Sequence, residues 1–142
     1  VQQSPARCAK VVNGSQFDLD ANARRLPEFS LYSPDMNNSG HDTGVAYADR
    51  WLREKFEKYL NDPAFMEGTL FVLTFDEDAN VFFGGKNQVL TVLVGPMVRA
   101  GAVVNEKMNH YSLLKLVEEN WQLGNLTRED AGATPIRGIF LH

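Results

Sequence analysis

Apolar residues recur along this chain in two rhythms. Val45, Ala48, Leu52, Phe56 and Tyr59 stand three and four positions apart, with Trp51 and Leu60 widening the stripe, which predicts an amphipathic helix that Thr43 can cap. Asn61-Asp62-Pro63 should end it, because proline has no amide proton for the ladder and disfavours helical geometry in the residue before it. The same spacing returns from Tyr111 to Leu123, at Leu113, Leu114, Leu116, Val117 and Trp121, with Gly124 placed as a left-handed cap. A shorter helix, capped by Ser15 or Asp18, is expected through Leu19 to Arg25.

The second rhythm belongs to strands. Glu28 to Tyr32 alternates between Pro27 and Ser33-Pro34 and predicts a short strand. Thr69 to Phe75 and Asn87 to Val94 are near-continuous apolar runs, as in strands covered on both faces. Ala64 to Gly68 reads as a turn, and Asp35 to Asp42, Asn80 to Lys86 and Arg99 to Asn109 as loops. The tail from Asn125 is turn-rich and ends on the apolar Ile139-Phe140-Leu141. The order strand, helix, strand, strand, helix indicates an α/β sheet, with too few elements for a complete doubly wound domain.

One strand carries more than packing. Gly68 to Asp78 reads GTLFVLTFDED, an apolar run that stops in three acids. A buried strand delivering carboxylates to its carboxyl end is a common way for an open α/β sheet to build a site. Two other polar groups lie at element boundaries: His41-Asp42 after the first predicted strand, and Asn109-His110 before the last helix. If the strands run parallel, all three loops can gather at one end of the sheet. Hard oxygen ligands plus imidazole would then bind a divalent cation and an anionic substrate. Each group also has a plain reading: the acids as a solvated turn, His41 as a hydrogen-bonding loop residue, His110 as a partner for helix-end amides.

Composition narrows the classes. The chain has 142 residues, 44% hydrophobic and 23% charged, ordinary for a globular domain, so residues 1–142 form either a single domain or part of a larger one. A net charge of -4 and a pI of about 5.3 offer no basic footprint for nucleic acid or a membrane surface. No apolar run reaches the roughly 20 residues of a transmembrane segment. The single cysteine, Cys8, cannot form an internal disulfide and says nothing of compartment. Three N-x-[ST] sequons, at Asn13, Asn37 and Asn125, suggest a secreted or extracellular glycoprotein. With neither an initiator Met nor a signal peptide, the chain is expected to be a processed or truncated product.

Taken together, several motifs in order carry a resemblance: Ser4-Pro5-Ala6-Arg7-Cys8-Ala9-Lys10, then Ser33-Pro34-Asp35-Met36, Gly40-His41-Asp42-Thr43, Leu73-Thr74-Phe75-Asp76-Glu77 and His110-Tyr111-Ser112, with Glu118 to Gly124 after them. The sequence resembles the C-terminal part of the phosphoesterase family, which includes secreted acid phosphatases and bacterial phospholipases C within the alkaline phosphatase-like superfamily. The fold this implies is α/β, part of an alkaline phosphatase-like sheet flanked by helices and incomplete in this chain. The implied function is hydrolysis of a phosphate ester or phospholipid at a metal-assisted site. By position, Asp76 and Glu77 match the metal-site acids, with Asp76 the stronger candidate ligand; His41 matches the histidine that contacts the phosphoryl or leaving group, and His110 a further site histidine. Oxygen ligands admit calcium or magnesium, and the histidines admit zinc.

Two departures from the family pattern stand out. The family's Glu-Asn pair and hydroxyl nucleophile lie N-terminal to these motifs and have no counterpart in this chain, so the missing portion is expected in the same protein or as a second chain. The family loop Asn-Asp-Gly-His-Asp here reads Asn38-Ser39-Gly40-His41-Asp42, which completes the Asn37 sequon. Either that sequon is unused or a glycan crowds the site and activity is lost. The alternative function is therefore a catalytically inactive, phosphoesterase-derived binding or structural protein whose exposed apolar strands associate with a partner.

Overall fold

A computed structural model describes residues 3–79 and 83–141 and divides the chain into two compact units, Val1–Glu67 and Gly68–His142. The start of the loop expected over Asn80 to Lys86, and His142, fall outside the described residues.

The first unit is helical. Helix α1 spans Pro5–Cys8, with Ser4 as its cap and proline in the first turn, where a missing amide proton costs nothing. Helix α2 (Ser15–Asn22) begins where the Asn13 side chain accepts the Ser15 amide at 2.9 Å. Helix α3 (Val45–Leu60) follows the predicted stripe, and α4 (Pro63–Met66) is a single turn capped by Asp62, where only a turn was expected. The stripe buries Phe56 and Tyr59 with Ala21 and Met66. Phe17 stands edge-on to Tyr32, Phe56 and Tyr59 at 5.3 to 5.8 Å between ring centres, an arrangement that ring quadrupoles favour. Asp18 joins this cluster through Lys55 and accepts the Tyr59 hydroxyl at 3.0 Å. The hydrogen bond from Lys55 holds the Asp18 carboxyl below its ordinary value.

The strand expected over Glu28 to Tyr32 does not form. The segment alternates as predicted, with Leu31 outward and Tyr32 among the aromatic rings, but it pairs with no strand among the described residues. Thr43 does not cap α3 either; its hydroxyl donates to the Asn37 carbonyl at 2.6 Å, and Gly44 takes the cap position.

The second unit is built on a two-stranded antiparallel sheet, so the chain as a whole is mixed α/β. Strands β1 (Phe71–Thr74) and β2 (Thr91–Val94) pair with Phe71 opposite Val94 and Thr74 opposite Thr91. Both are shorter than the apolar runs that predicted them, since a strand extends only as far as its ladder. Val72, Val92 and Val94 remain exposed, so double-sided cover is not present among the described residues. Helix α5 (His110–Asn120) is held by a reciprocal capping box between Asn109 and Ser112, and α6 spans Glu129–Gly132. The tail is structural: Phe140 bridges to Val98, and Ile136 and Ile139 are buried.

Candidate functional site

In the first unit, the segment from Asp35 to Thr43 is a knot of hydrogen bonds. One Asp35 carboxylate oxygen accepts the amides of Asn37 and Asn38, both at 3.0 Å, and the other accepts the Asn38 side-chain amide at 2.8 Å. Proline at 34 pre-sets the chain for such a turn, and a short carboxylate satisfies the amides that follow. Gly40 adopts φ +89, a conformation that L side chains rarely take, and its carbonyl accepts the Gly44 amide at 2.7 Å.

The knot presents His41 and Asp42 together. His41 Nδ1 and Asp42 Oδ1 are 2.7 Å apart, with the two side chains 67% and 54% exposed. An ionised carboxylate only accepts, so Nδ1 carries the proton and the Nε2 lone pair of a neutral ring is left for another partner.

In the second unit, Asp76 and Glu77 lie just past β1, in the connection to β2, and both are exposed. The antiparallel pairing replaces the parallel arrangement that would have delivered every loop to one end. The Thr74 and Thr91 hydroxyls, 2.8 Å apart, close the sheet beneath the acids. The Glu77 amide donates to Asp76 Oδ1 at 3.0 Å, and the Asp78 amide donates to Asn87 Oδ1 at 2.8 Å. His110 Nε2 stands 2.8 Å from the Asp76 carbonyl oxygen, joining two of the expected site residues through the backbone. Sequence reading overlooked Asn87, although an asparagine ending a Gly-rich loop is a ready acceptor for loop amides.

Among the described residues, no three of the His, Cys, Asp and Glu side chains come together as a metal site. Asp76 and Glu77 offer hard oxygen donors suited to a divalent cation, but they supply only part of the six or so ligands such an ion takes.

A cavity of about 380 Å³ opens elsewhere in this unit, lined by Lys115, Glu118, Asn125 and Asp130 among others and by none of the expected site residues. It lies along the C-terminal half of α5, roughly 12 Å along the helix axis from His110. Glu118 and Asp130 are both buried. Burial raises the Glu118 carboxyl, and the neighbouring Asp130 charge and their hydrogen bond raise it further. Burial would raise Asp130 as well, but the Leu126 and Arg128 amides, at 2.6 and 3.0 Å, hold it below its ordinary value. The two shifts point in opposite directions, so Glu118 is the member of the pair that protonates more readily and Asp130 the one that ionises more readily.

The sequence profile of the Phosphoesterase family matches residues 3–124, and the chain belongs to that family. It is 36% identical over 136 residues to a probable acid phosphatase of Kluyveromyces lactis, covering 94% of this chain and 32% of that protein. It is 33% identical over 136 residues to an acid phosphatase of Aspergillus fumigatus, covering 94% and 30%. A phosphatidylinositol-3-phosphatase of Mycobacterium tuberculosis is 34% identical over 126 residues, covering 89% and 40%. The chain thus spans about a third of the length of the curated relatives it matches. No solved structure matches it.

Proposed function

We propose that this chain is the C-terminal part of a phosphate-ester hydrolase, with Asp76, Glu77 and His41 as its contribution to the active site. The observation that carries the reading is the family match over residues 3–124, which includes the Asp76-Glu77 pair at the end of β1. The names of the relatives favour a phosphomonoester, with a phosphorylated inositol headgroup as one form of it. Phosphodiester cleavage of the phospholipase C type is the other form the family reading allows. The hydroxyl nucleophile and the remaining donors would come from the portion that the relatives have and this chain does not span. The sequons at Asn13, Asn37 and Asn125 support secretion, and no helix among the described residues is long and apolar enough to cross a membrane.

The chemistry follows from the side chains. Asp42 fixes the His41 ring, so a protonated Nε2 can donate to the leaving oxygen or to a phosphoryl oxygen as charge builds there. Asp76 and Glu77 would hold a divalent cation, which when bound supplies positive charge against the phosphoryl oxygens.

Hydrolysis of p-nitrophenyl phosphate by the intact protein tests the reading. Asp76→Asn and His41→Ala should each lower kcat/KM by roughly 10²- to 10⁴-fold. Chelation should abolish turnover, and re-addition of magnesium, calcium or zinc in turn would identify the ion. Wild-type rates in both variants would refute the assignment. The exposed Val72, Val92 and Val94 favour a second reading, a phosphoesterase-derived binding protein. An intact protein that forms a complex but never turns over substrate would support that reading.

A further inference from the structure

The acid-bearing turn is gripped from two sides by side chains to which the motif gives no such task. His110 Nε2 meets the Asp76 carbonyl at 2.8 Å. A carbonyl oxygen has no proton to give, so Nε2 must be the donor, whether the ring is neutral or charged. Two residues further on, the Asp78 amide donates to Asn87 Oδ1 at 2.8 Å. Between them the Glu77 amide is held by Asp76 Oδ1 at 3.0 Å. Three successive residues, 76 to 78, thus each have a backbone group fixed by a side chain.

Both grips have firm footings. His110 is the first residue of α5, and the capping box that starts the helix includes Ser112, which is almost fully buried. Asn87 sits at φ +48, a left-handed conformation that asparagine tolerates better than most L residues.

We infer that His110 and Asn87 are positioning residues, which hold the backbone of residues 76–78 so that the Asp76 and Glu77 carboxylates are already ordered for the divalent cation they would hold. This rests on the reading of Asp76 and Glu77 as site residues. Two adjacent, exposed carboxylates repel each other, and on a loose turn any ligand that needs both would have to order them as it binds. A turn fixed beforehand removes that cost from the binding step. His110 then acts on the peptide group of Asp76 and does not touch the substrate.

The test uses the intact protein and two readouts: hydrogen–deuterium exchange of the peptide covering residues 75–78, and kcat and KM with p-nitrophenyl phosphate. His110→Ala removes the donor, whereas His110→Gln places a side-chain N–H near the position of Nε2. Asn87→Gly removes the acceptor and still tolerates the positive φ. The expected result is roughly tenfold faster exchange in His110→Ala and Asn87→Gly, the factor that one lost hydrogen bond allows, with a matching fall in kcat/KM. His110→Gln should restore most of both. If His110→Gln exchanges as wild type but is as inactive as His110→Ala, the histidine acts on substrate and the proposal is overturned. Asp76→Asn, run alongside, separates the two claims. Full turnover in that variant refutes the site reading, and with it the catalytic purpose of the grip. Lost turnover there, with exchange unchanged in His110→Ala and Asn87→Gly, refutes the grip alone.

Discussion

Gly95, the residue after β2, gives a sharp test of how the second unit is packed. A Cβ added there would lie 2.6 Å from the Thr69 carbonyl oxygen and 2.6 Å from Met97 Sδ. The methionine sulfur ends a flexible side chain and can swing away. The Thr69 carbonyl is backbone, two residues before β1, and can recede only by pulling the strand with it. Overpacking of this kind costs about 1–3 kcal/mol. For a folded body of this size that is a fall of roughly 3 to 12 °C in Tm. Gly132 supplies the opposite sign. It ends α6, its added Cβ meets nothing within 4 Å, and its φ is not in the left-handed range. Gly132→Ala should therefore stabilise by about 0.4–1 kcal/mol, through the entropy it removes from the unfolded chain. Thermal melts of the two variants beside wild type decide the matter. A Gly95→Ala protein that melts with wild type, or two variants that shift in the same direction, would refute the packing.

Three further outcomes are expected. The Asp130 contribution to stability is present above its ordinary pKa of 3.8 and lost as pH falls through its lowered value; that of Glu118 is present below 4.5 and lost as pH rises through its raised value. The pair should thus stabilise most between 3.8 and 4.5, and Glu118→Gln, which keeps a donor but cannot ionise, should flatten the alkaline limb of a Tm-against-pH series. Phe56→Ala removes a buried ring that stands against Phe17, Tyr32 and Trp51, and should cost about 3–5 kcal/mol in urea unfolding. Asp35→Ala should speed amide exchange across residues 36–43 and leave that of α3 unchanged, since the carboxylate serves only the loop.

Local pattern made the helices legible. The stripe from Val45 to Tyr59 is long enough for periodicity to decide, and Asn61-Asp62-Pro63 ends it as proline chemistry requires; the left-handed cap expected at Gly124 falls instead on Gln122, at φ +54, because α5 stops at Asn120 and the Gln122 and Leu123 amides turn back to the Glu119 and Glu118 carbonyls. Strands are pairwise objects, and a single run does not say whether a partner exists. Glu28 to Tyr32 has the alternation but no ladder, and Thr69 to Phe75 shrinks to the residues opposite β2. Strand direction was equally hidden, because apolar runs suited to a parallel sheet form here an antiparallel pair. For the candidate site, the acids and histidines could be named because their types are suggestive. The groups that hold them could not: Asn87, Asp35 and the Asp76 carbonyl act through geometry that exists only once the loops have folded.

The threonine pair beneath the acids bears on how such a protein can diversify. With Thr74 and Thr91 joined across the last rung of the ladder, the sheet ends at a fixed gate, and the acid-bearing chain leaves and re-enters through it. Lengthening that excursion is cheap, about 0.6 kcal/mol for each doubling of a flexible loop. Provided the Asp78–Asn87 contact is kept, the length of the connection can thus change while the register of β1 and β2 is unaltered. Selection can work on one loop without reopening the folding problem.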